Sequence, residues 1–164
     1  MAIDKELSAV VREIAEKLSG RNLKLGVAES CTGGFLSNAI TNLPGASKFF
    51  NLSVVSYSED VKKSVLGVGS SILKKHGMVS EETAVAMMQG VMKLGQTDVA
   101  ISVTGVAGPK RIEEKDVGLV FIAAAVGDRV ESQGFKLSGD REEIKRQASL
   151  EALRFLKRVL DIWL

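Results

Sequence analysis

The chain has 164 residues, 45% of them hydrophobic and 26% charged, which is long and apolar enough for one folded domain with its own core. Its 22 basic and 20 acidic side chains are interspersed and give a net charge of +2, and aromatic residues make up only 5%. This composition argues against a nucleic-acid-binding protein, because both a basic stripe and a base-stacking surface are missing from the sequence.

The sequence also carries no sign of a membrane segment, a secretion signal or a metal site. No run approaches the roughly 20 apolar residues of a membrane span, and Asp4, Lys5 and Glu6 stand where a signal peptide would be apolar. A single cysteine, Cys31, and a single histidine, His76, cannot form an internal disulfide or a zinc site, and no acidic cluster suggests magnesium. We therefore expect a cytoplasmic protein without a metal or other cofactor.

Helical and strand patterns alternate along the chain. Apolar residues at helical spacing, or residues that favour a cap, predict helices over residues 4–19 and 59–66. The same signals predict three further helices that begin at residues 35, 80 and 140. Short apolar or β-branched runs predict strands over residues 23–28, 49–57, 98–103, 117–126 and 130–137. Gly127-Asp128 between the last two strands suits a type II′ hairpin turn. These elements predict a single three-layer α/β/α domain over residues 1–164, with a mixed sheet that includes one antiparallel hairpin.

Two glycine-containing loops follow predicted strands, at the positions where open α/β sheets usually bind ligands. In the first, Ser30–Gly34, the glycines permit close backbone approach and the next helix offers free N–H groups for a phosphate or an oxyanion. The second, Thr104–Pro109, offers hydroxyl and N–H groups. Each loop also has a purely structural interpretation, as a tight turn that ends a buried strand.

The residues of the first loop leave the choice of nucleophile and base open. Ser30 and Cys31 both stand where a nucleophile would be exposed, although a lone cysteine is more often a small buried apolar residue. His76 lies at an exposed helix end, so the alternative base is a desolvated lysine, whose pKa burial would lower. Lys62 and Lys63 are the candidates for that lysine.

Six ordered blocks resemble the CinA C-terminal domain family from about residue 6 to the end of the chain. The match is carried by 28–34 (AESCTGG), 44–47 (PGAS), 56–58 (SYS) with Lys62, 66–68 (LGV), 76–84 (HG with VSEETA) and 104–109 (TGVAGP). Members of that family include amidohydrolases that convert nicotinamide mononucleotide to nicotinate mononucleotide and ammonia in pyridine nucleotide salvage. They are described as metal-independent enzymes with a serine and a lysine at the site.

The resemblance implies a role for individual residues of this chain. By motif match it selects Ser30 over Cys31 and Lys62 over Lys63, with Tyr57 as the third catalytic residue. It further implies a substrate-binding set, in which Arg141 would be a cation that positions a small mononucleotide: Cys31, Thr32, Gly33, Gly34, Ser47, Thr104, Gly105 and Arg141. Longer relatives carry an additional N-terminal domain, so a stand-alone form is expected here.

The chain departs from the family pattern mainly over residues 110–119. Lys110-Arg111-Ile112 replaces a glycine-rich continuation, Asp116 replaces a proline and Leu119 replaces a threonine. This segment motivates an alternative hypothesis, a non-catalytic nucleotide-binding or protein-interaction module. Neither nucleic acid nor a membrane is an expected partner. The apolar C-terminus, Leu160 to Leu164, fits a homo-oligomer interface or packing on the chain's own core equally well.

Overall fold

The fold is built on one five-stranded sheet, seen in a computed structural model that describes residues 4–164. The strands are β1 (Leu25–Glu29), β2 (Phe50–Val55), β3 (Val99–Gly105), β4 (Leu119–Val126) and β5 (Arg129–Lys136). Their spatial order is β2-β1-β3-β4-β5, with β1 parallel to β2 and β3 and with β4 antiparallel to β3 and β5. The predicted mixed sheet is confirmed, with a second antiparallel pair besides the hairpin.

Helices cover both faces of this sheet. They are α1 (Lys5–Ser19), α2 (Phe35–Thr41), α3 (Glu59–Ser64), α4 (Ser70–His76), α5 (Glu81–Gly95) and α6 (Arg141–Trp163), with a 3₁₀ turn at Ala46–Lys48. One apolar core joins α1, α2 and α6 to one face, and a second joins α4 and α5 to the other. The three-layer α/β/α architecture predicted from the sequence is therefore confirmed.

Side-chain size differs between the two faces of the central strands. The α6 face of β1 and β3 carries branched residues such as Val27 and Ile101, whereas the α5 face carries Ala28, Ala100 and Ser102. Ser102 is fully buried and its hydroxyl donates to the Ala84 carbonyl of α5 at 2.6 Å. Small residues on that face let α5 pack close to the sheet.

The observed elements differ from the predicted ones at their ends. The strand predicted over 98–103 continues through Thr104 and Gly105, because their backbone pairs with Phe121 and Val120 of β4. Only the end of α4 was predicted, since its N-cap, Gly69, makes no side-chain capping bond that would mark the start of a helix. Gly127 has φ +57° and Asp128 has no positive φ, as expected for the predicted type II′ turn.

The C-terminal apolar residues divide between the core and the surface. Leu160 is fully buried and Trp163 packs against the α6-side core, whereas Ile162 is 60% exposed. Across residues 4–164, no helix combines the length with the apolar character that a bilayer crossing requires.

Gly90 of α5 allows the turn after α3 to approach closely. A Cβ atom at this position would lie 2.0 Å from the backbone carbonyl oxygen of Leu66, which cannot move without shifting the chain. We expect Gly90→Ala to lower the free energy of unfolding by about 2–3 kcal/mol in urea denaturation. Gly69→Ala is the matched control, because its Cβ would make only ordinary contacts at 3.6 Å or more. Equal stability of the two variants would contradict this interpretation.

Candidate active site

The two predicted loops meet at the carboxyl edge of β1 and β3. Ser30 directly follows β1, and its N–H donates to the Val103 carbonyl of the neighbouring parallel strand at 3.0 Å. Thr104 and Gly105 end that same strand. Because the carboxyl ends of parallel strands share one edge of the sheet, a serine hydroxyl and the Thr104–Pro109 segment border one cavity.

The loop that carries Ser30 is held by the buried side chain of Glu29. The Glu29 carboxylate accepts from the N–H groups of Gly34, Leu36 and Ser37 at 2.9, 3.2 and 2.9 Å. It also accepts from the hydroxyls of Thr32, at 2.6 Å, and Ser37. The negative group at the start of α2 is thus the protein's own carboxylate, where sequence reasoning expected a ligand phosphate or oxyanion.

Lys62 reaches Ser30 from α3. Its Nζ lies 2.9 Å from Ser30 Oγ and 2.6 Å from the carbonyl oxygen of Ser56. Lys62 is fully buried, and Ser30 is 8% exposed. The N-cap Ser58 fixes the start of the helix, so that residue 62 faces the sheet while the half-buried Lys63 pairs with Glu59 at 2.6 Å.

The electrostatic environment favours the neutral amine of Lys62. Burial lowers the pKa of Lys62 from 10.5 to about 8, although the nearby Cys31 and Glu113 act in the opposite direction. Within residues 4–164, no carboxylate lies within ion-pair distance of its Nζ. A neutral amine next to a serine hydroxyl can accept the hydroxyl proton.

Cys31 is placed beside Ser30 but in a different chemical state. Its side chain is 5% exposed, and burial raises the pKa of the Cys31 thiol to about 12. The thiol therefore stays protonated near neutral pH, while Ser30 has an adjacent base.

Tyr57 and Arg141 border the mouth of the cavity. The Arg141 guanidinium donates to the Tyr57 hydroxyl at 2.7 Å and to the Gly108 carbonyl. Both side chains are largely exposed, with Tyr57 at 57%. The cavity has a volume of about 180 Å³ and contains, besides Ser30 and Cys31, Tyr57, Met78, Val79, Thr104, Gly105, Ala107, Ile112 and Arg141.

The remaining predicted site residues lie at varying distances from this cavity. Thr104 lines it, but its hydroxyl donates to the Met78 carbonyl at 2.8 Å. Thr32 is fully buried against Glu29, and Gly33 and Gly34 end the loop with positive φ values of +59° and +97°.

Ser47 is the predicted residue that the fold keeps away from Ser30. It is exposed and precedes β2, whose first residue pairs with Leu25 at the start of β1. Ser30 follows the other end of β1, so the two residues lie at opposite edges of the sheet, separated by roughly 16 Å of strand. Within one copy of the chain, Ser47 is therefore not part of this cavity.

Several residues of the site carry no signal in the sequence. Ser56 contributes its carbonyl oxygen to Lys62, a role that any residue type can fill. Met78, Val79 and Ile112 line the cavity from segments that are distant from Ser30 in sequence. Apolar residues in loops are common, so their sequence does not predict that they line a cavity. His76 lies at the end of α4, as predicted, 3.3 Å from Glu82 and outside the cavity lining.

Fold and site together define a three-layer α/β domain with a buried serine–lysine pair at the carboxyl edge of its parallel strands. The chain belongs to the CinA family: the model of the CinA C-terminal domain matches residues 7–160.

Comparison with individual proteins agrees with this assignment. A protein of Caldicellulosiruptor bescii named as competence-damage inducible is 45% identical over 161 residues, covering 97% of this chain and 39% of the relative. A CinA-like protein of Dictyoglomus thermophilum is 40% identical over 148 residues, covering 90% and 36%. The chain thus spans about two fifths of the length of these curated relatives.

Solved structures of the same superfamily have the same fold. The competence damage-inducible protein A of Klebsiella pneumoniae superposes with a TM-score of 0.94 at 33% identity, covering 96% of this chain and 99% of that chain. The competence/damage inducible protein CihA of Agrobacterium tumefaciens gives a TM-score of 0.92 at 32% identity, covering 98% and 99%.

Proposed function

We propose that this domain is an amidohydrolase that converts nicotinamide mononucleotide to nicotinate mononucleotide and ammonia, a step of pyridine nucleotide salvage. The observation that carries the proposal is the 2.9 Å separation of Lys62 Nζ and Ser30 Oγ in a buried site. A serine hydroxyl with its own desolvated base is the arrangement that nucleophilic attack on an amide requires.

In the proposed reaction, Ser30 is the nucleophile and Lys62 moves the proton. Neutral Lys62 accepts the hydroxyl proton as Ser30 Oγ forms a bond to the amide carbon. Protonated Lys62 then donates a proton to the amide nitrogen, the C–N bond breaks and ammonia leaves. Water, deprotonated by Lys62, hydrolyses the resulting ester and restores the hydroxyl of Ser30.

The backbone after Ser30 supplies candidate donors for the oxyanion of this reaction. The N–H groups of Gly33 and Gly34 are already bonded, to the Ser30 carbonyl and the Glu29 carboxylate. In the part of the chain that the structure describes, the N–H groups of Cys31 and Thr32 have no acceptor. Of these two residues, Cys31 lines the cavity, so its N–H group is the donor we assign to the oxyanion.

The character of the cavity supports a substrate with a small ring and an amide. Its volume of about 180 Å³ is less than the roughly 300 Å³ at which pockets for whole drug-sized ligands begin. We infer that the pyridine carboxamide enters the cavity while the ribose phosphate stays at the mouth, near Tyr57 and Arg141. The guanidinium of Arg141 supplies a positive charge there for the phosphate.

The activity should depend on pH through Lys62. Because the neutral amine is the active form and its pKa is about 8, kcat/KM should rise with pH and level off above that value. Below it, each pH unit should lower kcat/KM about tenfold. Initial rates between about pH 6.5 and about pH 9.5 check this, with enzyme stability verified at each pH. A flat profile across that range would contradict a lysine base.

The experiment that tests the function compares three amides of increasing size. Purified protein is incubated with free nicotinamide, the riboside and the mononucleotide in buffer that contains EDTA, and ammonia and nicotinate products are quantified. We expect turnover of the mononucleotide alone. Saturable calorimetric binding of the mononucleotide without ammonia release would instead support the non-catalytic nucleotide-binding module. If the protein neither turned over nor bound the mononucleotide, nicotinamide mononucleotide would be excluded as the substrate.

A further inference from the structure

The segment between β3 and β4 forms one wall of the cavity. Ile112 lines the cavity, and the Gly108 carbonyl accepts from Arg141 at its mouth. This segment includes Lys110-Arg111-Ile112, where the resemblance to the CinA family implies glycine-rich sequence. The segment thus contributes Ala107 and Ile112 to the cavity lining.

Ile112 sits at the base of a tight turn with an unusual backbone. Its N–H donates to the Lys115 carbonyl at 3.3 Å, and the Lys115 N–H donates back at 2.8 Å. The two central residues, Glu113 and Glu114, have φ values of +53° and +61°, the geometry of a type I′ turn. Glycine and asparagine favour this conformation, so two glutamates there are strained and must be held by other contacts.

The holding contacts come from the Glu113 side chain. Its Oε1 accepts from the Met78 N–H at 2.8 Å and its Oε2 from the Val79 N–H at 3.3 Å. Lys115 Nζ donates to the His76 carbonyl at 2.7 Å and lies 3.3 Å from Glu113 Oε2. Met78 and Val79 line the cavity themselves. Glu113 therefore connects the segment that carries Ile112 to a second lining segment, the one that carries Met78 and Val79.

We propose that Ile112 is a specificity-determining residue for the ring of the amide substrate, and that Glu113 is the positioning residue that holds Ile112 in the cavity. The proposal rests on the proposed function and deepens it. Four apolar residues line the cavity, Met78, Val79, Ala107 and Ile112. Such a surface packs on the face of a flat ring, while Ser30 reacts with the amide that the ring carries.

The kinetic test uses two glutamates that differ only in their contacts. Glu113→Gln leaves one oxygen to serve two N–H donors, whereas Glu114→Gln removes the same charge from a side chain without a hydrogen bond in the described structure. We expect Glu113→Gln to raise KM about tenfold with kcat within about twofold, and Glu114→Gln to leave both unchanged. Equal KM values for the two variants would overturn the positioning role.

Ile112→Ala tests specificity directly. We expect this variant to lose about tenfold in kcat/KM for the mononucleotide and to lose discrimination against a mononucleotide with a methyl group on the ring, because the cavity grows by the removed side chain. An unchanged ratio of kcat/KM for the two substrates would overturn the specificity role. Thermal unfolding of each variant checks that the fold is retained.

A second readout does not depend on the substrate. Cys31, the single cysteine, lines the same cavity and is 5% exposed, so the rate at which its thiol is converted to a mixed disulfide reports whether the wall is closed. We expect methyl methanethiosulfonate to modify Cys31 about tenfold faster in Glu113→Gln than in wild type or Glu114→Gln. If the wild type releases no ammonia but this difference appears, the function has failed and the positioning role stands. If ammonia is released and the rates are equal, the positioning role has failed alone.

Discussion

Replacing Lys62 with methionine should abolish turnover and at the same time stabilise the protein near neutral pH. Without the amine, Ser30 has no base within reach, and we expect kcat/KM to fall by about 10³ or more. Methionine fills a similar volume without a buried charge. We therefore expect the free energy of unfolding at about pH 7 to rise by about 1 kcal/mol, after the lost bond to the Ser56 carbonyl is subtracted.

The stability gain should itself depend on pH. The pKa of Lys62 is about 8 in the folded protein and near 10.5 when unfolded, so the unfolded state binds more protons between these two values. The contribution of Lys62 to the free energy of unfolding of the wild type is therefore lowest below about pH 8, and it rises between about pH 8 and about pH 10.5. The advantage of Lys62→Met should shrink over the same window, which urea denaturation at both ends would show.

Lys63→Met is the matched control for this experiment. Lys63 is the next residue of α3, half-buried and paired with Glu59 on the surface, so its loss should change neither turnover nor the pH dependence of stability appreciably. If Lys62→Met kept wild-type turnover, or if Lys63→Met matched its effects, the assignment of the base would be wrong.

The second large effect is expected at Glu29, through stability rather than chemistry. Glu29→Ala would remove the acceptor of three N–H groups and two hydroxyls in the Ser30 loop and the first turn of α2. Of these five donors, the Ser37 hydroxyl alone has a second partner in the described structure, Ser53 Oγ. We expect the free energy of unfolding to fall by about 3–5 kcal/mol and activity to be lost with the loop geometry. Chemical denaturation followed by circular dichroism measures the change.

Glu16→Ala provides the comparison for Glu29→Ala. Glu16 is exposed on α1 and its side chain makes no ion pair among the residues described, so the substitution should change stability by less than about 0.5 kcal/mol. A Glu29→Ala variant as stable as Glu16→Ala would show that the carboxylate does not hold the loop.

The architecture was predictable because its signals are local. The buried strands β1 and β3 are continuous apolar runs, and the hairpin turn is marked by Gly127-Asp128. The prediction was less accurate where pairing decides the structure: Thr104 and Gly105 look like loop residues, yet β4 extends their strand. A short helix without a capping side chain, α4, was predicted only at its end.

The candidate site was predictable only in part. Its residues alone left Ser30 against Cys31 and Lys62 against Lys63 undecided, and resemblance to a family made the choice. The structure adds the physical distinction, since one lysine is fully buried beside Ser30 and the other is half-buried and paired with Glu59. The role of Glu29 was missed because its partners are mainly backbone N–H groups, which leave no pattern in a sequence.

The most direct test of the account is the initial rate of ammonia release from nicotinamide mononucleotide by the wild type and by Ser30→Ala, above about pH 8, where Lys62 is mostly neutral. Ser30→Ala removes one oxygen atom from a serine whose hydroxyl has Lys62 as its hydrogen-bonding partner, so the fold should be retained. We predict rapid release by the wild type and a rate at least about 10³ lower in the variant. A folded Ser30→Ala variant that releases ammonia at the wild-type rate would contradict the central claim.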